Sequence, residues 1–124
     1  MIMRRILVAE DDAPSRELVR EILESEGYEV IEAADGGEAL AKIKETRPDL
    51  VILDIRMPVL GGFAVLEQIK RDQNFSHLRV IALTAYGMED DRARVLDAGF
   101  DAHASKPVDA IKLTAQIKVF LNQR

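Results

Sequence analysis

Short aliphatic runs that each stop at a polar residue constrain this chain more than any other feature. Ile6-Leu7-Val8-Ala9 stops at Glu10, Leu50-Val51-Ile52-Leu53 at Asp54, and Val80-Ile81-Ala82-Leu83 at Thr84. A strand with one wet face alternates apolar and polar residues, whereas a strand covered on both faces is apolar throughout. The three runs therefore predict central strands of a parallel sheet. Tyr28 to Ala33, read Y-E-V-I-E-A, alternates and predicts an edge strand. Phe100 to Ala104 predicts a weaker fifth strand. Alternation there puts Phe100, Ala102 and Ala104 on one side and Asp101 and His103 on the other.

Helical patterns fill the intervals. Asp12 or Ala13 caps the first helix, with Pro14 in its first turn, a stripe of Leu18, Val19, Ile22 and Leu23, and Gly27 as its stop. Glu38 to Thr46 carries Leu40 and Ile43 ahead of Pro48, and Gly62 to Arg71 carries Phe63, Leu66 and Ile69. Glu89 to Ala98 is charged, with Val95 and Leu96 its strong apolar positions, and Asp109 to Leu121 carries Ile111, Ile117, Phe120 and Leu121. Strand and helix alternate five times, which predicts an α/β fold: a doubly wound parallel sheet with right-handed crossovers. No linker or repeat divides the chain, so residues 1–124 are expected to be one domain with no output domain, and the N-terminal Met argues for a stand-alone protein.

Composition removes several function classes. The chain has no Cys, which excludes disulfides, thiolate nucleophiles and Cys-based zinc sites. No apolar run approaches the roughly 20 residues of a membrane span, and no signal-peptide pattern opens the chain, so the expected location is the cytoplasm. A formal charge of −5 and the lack of Trp argue against nucleic-acid binding.

The polar residues closing the strands carry the chemistry. Ligands of open α/β sheets bind beyond the carboxyl ends of the strands, at a switch in strand order. With the order 2-1-3-4-5, Glu10, Asp11 and Asp54 converge at that switch, with Thr84 and Lys106 beside them. Several carboxylates in one crevice repel unless a cation joins them. Oxygen-only donors favour Mg²⁺ over Ca²⁺. A Lys suits a phosphoryl oxygen, a Thr hydroxyl adds a donor, and an Asp can itself be the nucleophile. Taken singly, Asp11 or Asp12 reads as a helix cap, Asp54 as a turn former, and Thr84 and Lys106 as structural. Their joint placement on four strand ends favours phosphoryl transfer.

The stretches ILVAEDDAPSREL, PDLVILDIRMPVLGG, IALTA and GFDAHASKP together resemble the receiver domains of two-component response regulators, in order and spacing, over essentially the whole chain. The resemblance implies a flavodoxin-like (βα)5 fold of strand order 2-1-3-4-5. It implies Asp54 as the phosphoacceptor, served by a histidine kinase or a histidine phosphotransfer protein. Mg²⁺ would be held by Asp11, Asp54 and the backbone carbonyl of Arg56, with Glu10 acting through water. Lys106 would contact a phosphoryl oxygen, Thr84 would be the switch hydroxyl, and the Lys106–Pro107 bond would be cis. Arg56 and Tyr86 would border the phosphoryl group, with Tyr86 hindering the attacking water. Pro58, Gly61 and Gly62 would shape the loop after the acceptor.

Two departures stand out. His103 occupies a position where many receivers carry Tyr or Phe, and Ala104 follows it. The last helix lacks the Arg residues of the dimerising DNA-binding subgroup, and AYGMEDDRARVLDAGFDAH resembles receivers attached to hybrid histidine kinases. The expected readout is thus binding to another protein, or onward transfer to a phosphotransfer His, by a monomer or weak dimer without DNA contact. His103 is expected on the signalling face as a pH-sensitive element. Three other readings are weighed: a metal-dependent phosphatase, which would place a D-x-D nucleophile after strand one; a flavodoxin-like electron carrier, which would need a Gly- and hydroxyl-rich loop where A-E-D-D-A stands; and a receiver kept only as an interaction module.

Overall fold

The computed structural model describes residues 3–85 and 91–122. Strands and helices alternate as β1 (Arg5–Ala9), α1 (Ala13–Ser25), β2 (Glu29–Ala33), α2 (Gly36–Thr46), β3 (Leu50–Asp54), α3 (Gly62–Arg71), β4 (Arg79–Thr84), α4 (Asp91–Ala98), β5 (Ala102–Ser105) and α5 (Ala110–Asn122). All strand pairs are parallel, in the order β2-β1-β3-β4-β5. This is the flavodoxin-like arrangement, and β1 and β3 flank the point where the order reverses.

The aliphatic runs lie at the centre because both of their faces are covered. Leu7, Ala9, Val51, Leu53, Val80 and Ala82 pack with Ile43 of α2, Val65, Leu66 and Ile69 of α3, and Val95 of α4. The alternate residues Ile6, Val8, Leu50, Ile52, Ile81 and Leu83 pack with Val19 and Leu23 of α1 and Leu113, Ile117 and Leu121 of α5. One side chain in two serves each layer. Each fully buried Leu or Ile contributes roughly 2 kcal/mol through desolvation.

The local signals act as their chemistry dictates. Asp12 caps α1 by accepting from the Ser15 amide at 3.0 Å, and Pro stands in the first turn. Asp35 caps α2 through the Glu38 amide, so that helix begins at Gly36, ahead of the expected Glu38. Gly36 is compelled by space: a Cβ there would lie 1.9 Å from the Leu60 carbonyl oxygen. Asp109, expected inside α5, instead caps it by accepting from the Ile111 and Lys112 amides.

Several details differ from expectation. β5 starts at Ala102, not Phe100, because Gly99 (φ 111) turns the chain and Phe100 drops into the α3–α4 layer. Ala102 and Ala104 pack in the opposite layer, so Phe100 does not share their side. Ile111 is 83% exposed, and Leu113 fills the core position of the first turn of α5. Leu18 and Leu96 are both 46% exposed, leaving Val19 and Leu23 as the buried anchors of α1 and Val95 as that of α4. The expected helix start at Glu89 lies outside the described residues.

Candidate phosphorylation site

The register of the parallel strands brings the closing residues together. β1 pairs Ala9 with Leu53 of β3, so Glu10 and Asp54 emerge side by side. β4 ends at Thr84 opposite Ser105, and Lys106 follows directly. The Lys106–Pro107 peptide is cis, as the resemblance implied. The Lys106 amide donates to the Thr84 carbonyl at 2.8 Å, which fixes where its side chain departs.

Asp54 is nearly buried, and both carboxylate oxygens are engaged. Oδ1 accepts from the Arg56 amide at 2.9 Å and Oδ2 from Lys106 Nζ at 2.8 Å. Lys106 Nζ also pairs with Oε1 of Glu10, which has no exposed surface. Carboxylate oxygens of Glu10, Asp11 and Asp54 lie within 4.8 Å of one another. Asp11 is the solvent-facing member of the three.

The two buried carboxyl groups settle into different states. Burial, reinforced by Asp54 alongside, raises the Glu10 pKa to about 8 against the pull of Lys106. Asp54 stays below its ordinary value: burial pushes upward, but hydrogen bonds from Glu10, Lys106 and the Arg56 amide overcome it. Lys106 is held above its ordinary value because Asp54 and Glu10 outweigh its own desolvation. The result is an ionised Asp54 in a pocket with more acid than one ammonium can neutralise. Three carboxylates converging without nitrogen or sulfur donors form a site for a hard divalent cation. The cation's charge would oppose the burial and the Asp54 proximity that raise the Glu10 pKa.

Gly62 keeps the end of β3 and α3 in close register, since a Cβ there would stand 2.7 Å from the Asp54 carbonyl oxygen. Gly61 approaches the Ile55 carbonyl similarly, at 3.2 Å. In the same loop Val59 has φ 70 and is 81% exposed. A β-branched residue seldom adopts that left-handed backbone.

Thr84 is buried, and its hydroxyl sits 3.5 Å from both the Ala104 carbonyl and the Ser105 hydroxyl. Those contacts are at the outer limit of a hydrogen bond. Ser105 thus joins the site unanticipated; its only sequence signal is adjacency to Lys106. Arg16 was also missed. It donates from Nη1 to the Glu10 carbonyl at 2.8 Å and from Nε to Glu32 at 3.1 Å, tying α1 to the strand end. The sequence hint was a cation one helical turn beyond the Asp12 cap. Tyr86 lies outside the described residues.

His103 is half-buried and lines a cavity of about 610 Å³ between α4 and α5. Its carbonyl accepts from Gln116 Nε2 at 2.9 Å, while its buried Nδ1 has no hydrogen-bond partner among the described residues. Burial, assisted by the Arg92 charge, lowers its pKa from the ordinary 6.5.

Comparison with known proteins agrees with this geometry. The response regulator receiver domain profile matches residues 6–118. The polar-differentiation response regulator DivK of Brucella anthropi is 36% identical, over 95% of this chain and 96% of that protein. A putative response regulator from Chloroflexus aurantiacus J-10-fl superposes with a TM-score of 0.94 at 28% identity, covering 98% of this chain and 100% of the other. The receiver domain of a sensor histidine kinase from Pseudomonas aeruginosa PAO1, solved with a magnesium ion coordinated in its active-site cleft, gives a TM-score of 0.90 at 30% identity over 98% and 100% of the two chains. The chain therefore belongs to the response regulator receiver domain family, whose members act as phosphoacceptor switches in two-component signalling.

Proposed function

We propose that Asp54 accepts a phosphoryl group from the phosphohistidine of a kinase or phosphotransfer protein, and that this chain's own residues promote the transfer. The observation that carries the reading is the 2.8 Å contact between Lys106 Nζ and an Asp54 carboxylate already gathered with Glu10 and Asp11. The donor's N–P bond breaks, an O–P bond forms on Asp54, and the departing imidazole takes up a proton. Asp11, Asp54 and the Arg56 carbonyl would hold Mg²⁺, with Glu10 acting through water; when bound, the ion neutralises charge on the transferring group. Lys106 trades its contact with the free carboxylate for one with a phosphoryl oxygen. Thr84 is poised for this chemistry because its hydroxyl gives up only two long contacts when it turns toward the phosphoryl group.

In this reading the chain catalyses its own phosphorylation and dephosphorylation in the cytoplasm. It signals through protein–protein contacts, as a monomer or weak dimer. Tyr86 shields the phosphoryl group from water, and Tyr86→Ala is expected to speed its loss. His103 takes part in the readout as a neutral imidazole. The groups lining its cavity are Arg92 from α4, Lys112 and Gln116 from α5, and Lys106 and Asp109 from the intervening loop. That mainly cationic wall disfavours a charged ring there, so acidification favours its outward rotation.

Mass spectrometry after incubation with acetyl phosphate and Mg²⁺ tests the proposal. One phosphoryl group is expected on the parent and none on Asp54→Asn. Asp11→Ala is expected to bind Mg²⁺ at least tenfold more weakly by calorimetry, about 1.4 kcal/mol. Undiminished labelling of Asp54→Asn refutes the acceptor assignment, and a parent chain that takes no phosphate is an interaction module only.

A further inference from the structure

The opposite end of the sheet carries a second concave feature that phosphorylation does not use. A cavity of about 460 Å³ opens beside the amino ends of β1 and β4, lined by Arg4, Arg47, Arg79 and His77 over Phe75 and Phe120. The chain as a whole has a formal charge of −5, yet three arginines meet here. Asp49 also lines the cavity, and its Oδ2 is occupied by the Arg5 amide at 2.8 Å.

The ordinary use of a cation at this end is to answer the carbonyls of a helix C-terminus. Arg5 does this by donating to the Thr46 carbonyl at the end of α2. The lining arginines are placed differently. Arg47 has its guanidinium carbon 5.5 Å from the centroid of the Phe75 ring, and Arg79 has its own 5.6 Å from that of Phe120. Arg79 is also ion-paired with Asp101 at 3.3 Å. Among the described residues neither Arg4 nor Arg47 has a carboxylate partner. Arg47 holds this position from a left-handed backbone, φ 50, at the C-cap of α2, where Gly or Asn is the usual choice. Such strain recurs at ligand sites because the surroundings must hold it in place.

A guanidinium stacked on a ring presents its outer face to a further flat group and its edge N–H groups to an anion. The buried side chains of Pro48, Phe75 and Leu78 supply an apolar floor. The volume falls within the usual range of small-molecule sites, roughly 300–1,000 Å³.

We infer that this cavity binds a small organic anion with a flat aromatic body, of the nucleoside monophosphate class, independently of the Asp54 site. The probes are AMP, adenosine and inorganic phosphate, titrated into the whole chain and followed by amide NMR shifts. AMP is expected to give saturable shifts centred on Arg47, Phe75 and Arg79, and to bind at least tenfold more tightly than either fragment. Arg47→Gln/Arg79→Gln is expected to lose tenfold or more in affinity, while acetyl phosphate labels Asp54 as in the parent. Arg47→Lys, which keeps the charge but loses the fork, is expected to weaken AMP binding with an unchanged amide fingerprint. Adenosine binding as well as AMP removes the role of the arginines, and phosphate binding as well as AMP removes the flat body. Shifts that fail to saturate, that centre on Asp54, or that persist in the variants overturn the inference outright. Labelling of Asp54 is read separately, so failure here leaves the phosphoacceptor assignment intact.

Discussion

The two ends of one sheet handle charge in opposite ways. At the carboxyl end, Glu10, Asp54 and Lys106 are drawn out of water, and each depends on the others for its ionisation state. At the amino end, Arg47 and Arg79 keep to the surface and rest on Phe75 and Phe120. The difference follows from what closes each strand. A carboxylate one residue beyond a buried aliphatic run has nowhere to go but inward, whereas Arg4, Arg47 and Arg79 stand at strand starts and helix ends with long stems that reach solvent. The buried end is therefore sensitive to single changes, and the exposed end is tolerant.

Truncating the central cation tests that contrast most strongly. Lys106→Met leaves the ionised Asp54 buried beside Glu10 without its counter-charge, which costs on the order of 3 kcal/mol. Arg79→Met, at the other end, is expected to cost about 1 kcal/mol or less. Urea denaturation of both variants without Mg²⁺ measures the difference; equal losses would erase the distinction between the ends. A smaller effect is expected from Gly62→Ala, whose methyl group collides with the backbone of Asp54 and Ile55. Overpacking of this kind costs about 2 kcal/mol, and acetyl phosphate labelling should slow in parallel.

Val59 sharpens the picture from the other direction. It sits beside the buried site yet is itself exposed and left-handed, so its strain has no packing to offset it. Val59→Asn is expected to raise stability by about 1 kcal/mol, because Asn tolerates that backbone. Thermal melts would show it, and a lowered midpoint would mean that Val59 packs better than its exposure indicates.

The smallest effect belongs to His103. Its folded pKa lies below the ordinary 6.5, so the folded state binds the proton less readily than the unfolded chain. Its contribution to stability is complete above the unfolded value and declines as pH falls below about 6.5. The stability of the parent relative to His103→Gln should therefore be constant at neutral pH and shrink in mild acid. A difference that stays flat through that window would place the imidazole in solvent in both states.

Most of this could be read from the sequence, for physical reasons. Leu50 to Leu53 is apolar throughout because both layers cover it, and no helix of that pattern would fit between Pro48 and Pro58. Asp54, Thr84 and Lys106 were legible as strand-closing residues whose chemistry matches. What escaped was decided by single turns of chain. Phe100 reads as strand by composition, but Gly99 redirects it into the other layer. Ile111 reads as core, but the Asp109 cap sets the phase of α5 so that Leu113 faces inward. The second helix reads as starting at Glu38; Asp35 caps it so that it begins two residues earlier, and the approach of Leu60 leaves room for nothing larger than Gly at position 36. Arg16 left only the hint of its spacing from the Asp12 cap, because its contact with Glu10 depends on how α1 packs.

That approach of Leu60 to Gly36 also bears on how the molecule opens. The Gly36 and Leu60 amides both donate to the Pro58 carbonyl, at 3.5 and 2.8 Å, and the Gly62 amide donates to Ile55 at 3.1 Å. The segment after Asp54 is therefore stitched to the start of α2 as well as to α3. Local openings involve contiguous units that break together. Gly36, Leu60 and Gly62 should thus exchange their amide protons for deuterium as one group, at a rate set by the whole stitched segment and not by an isolated loop.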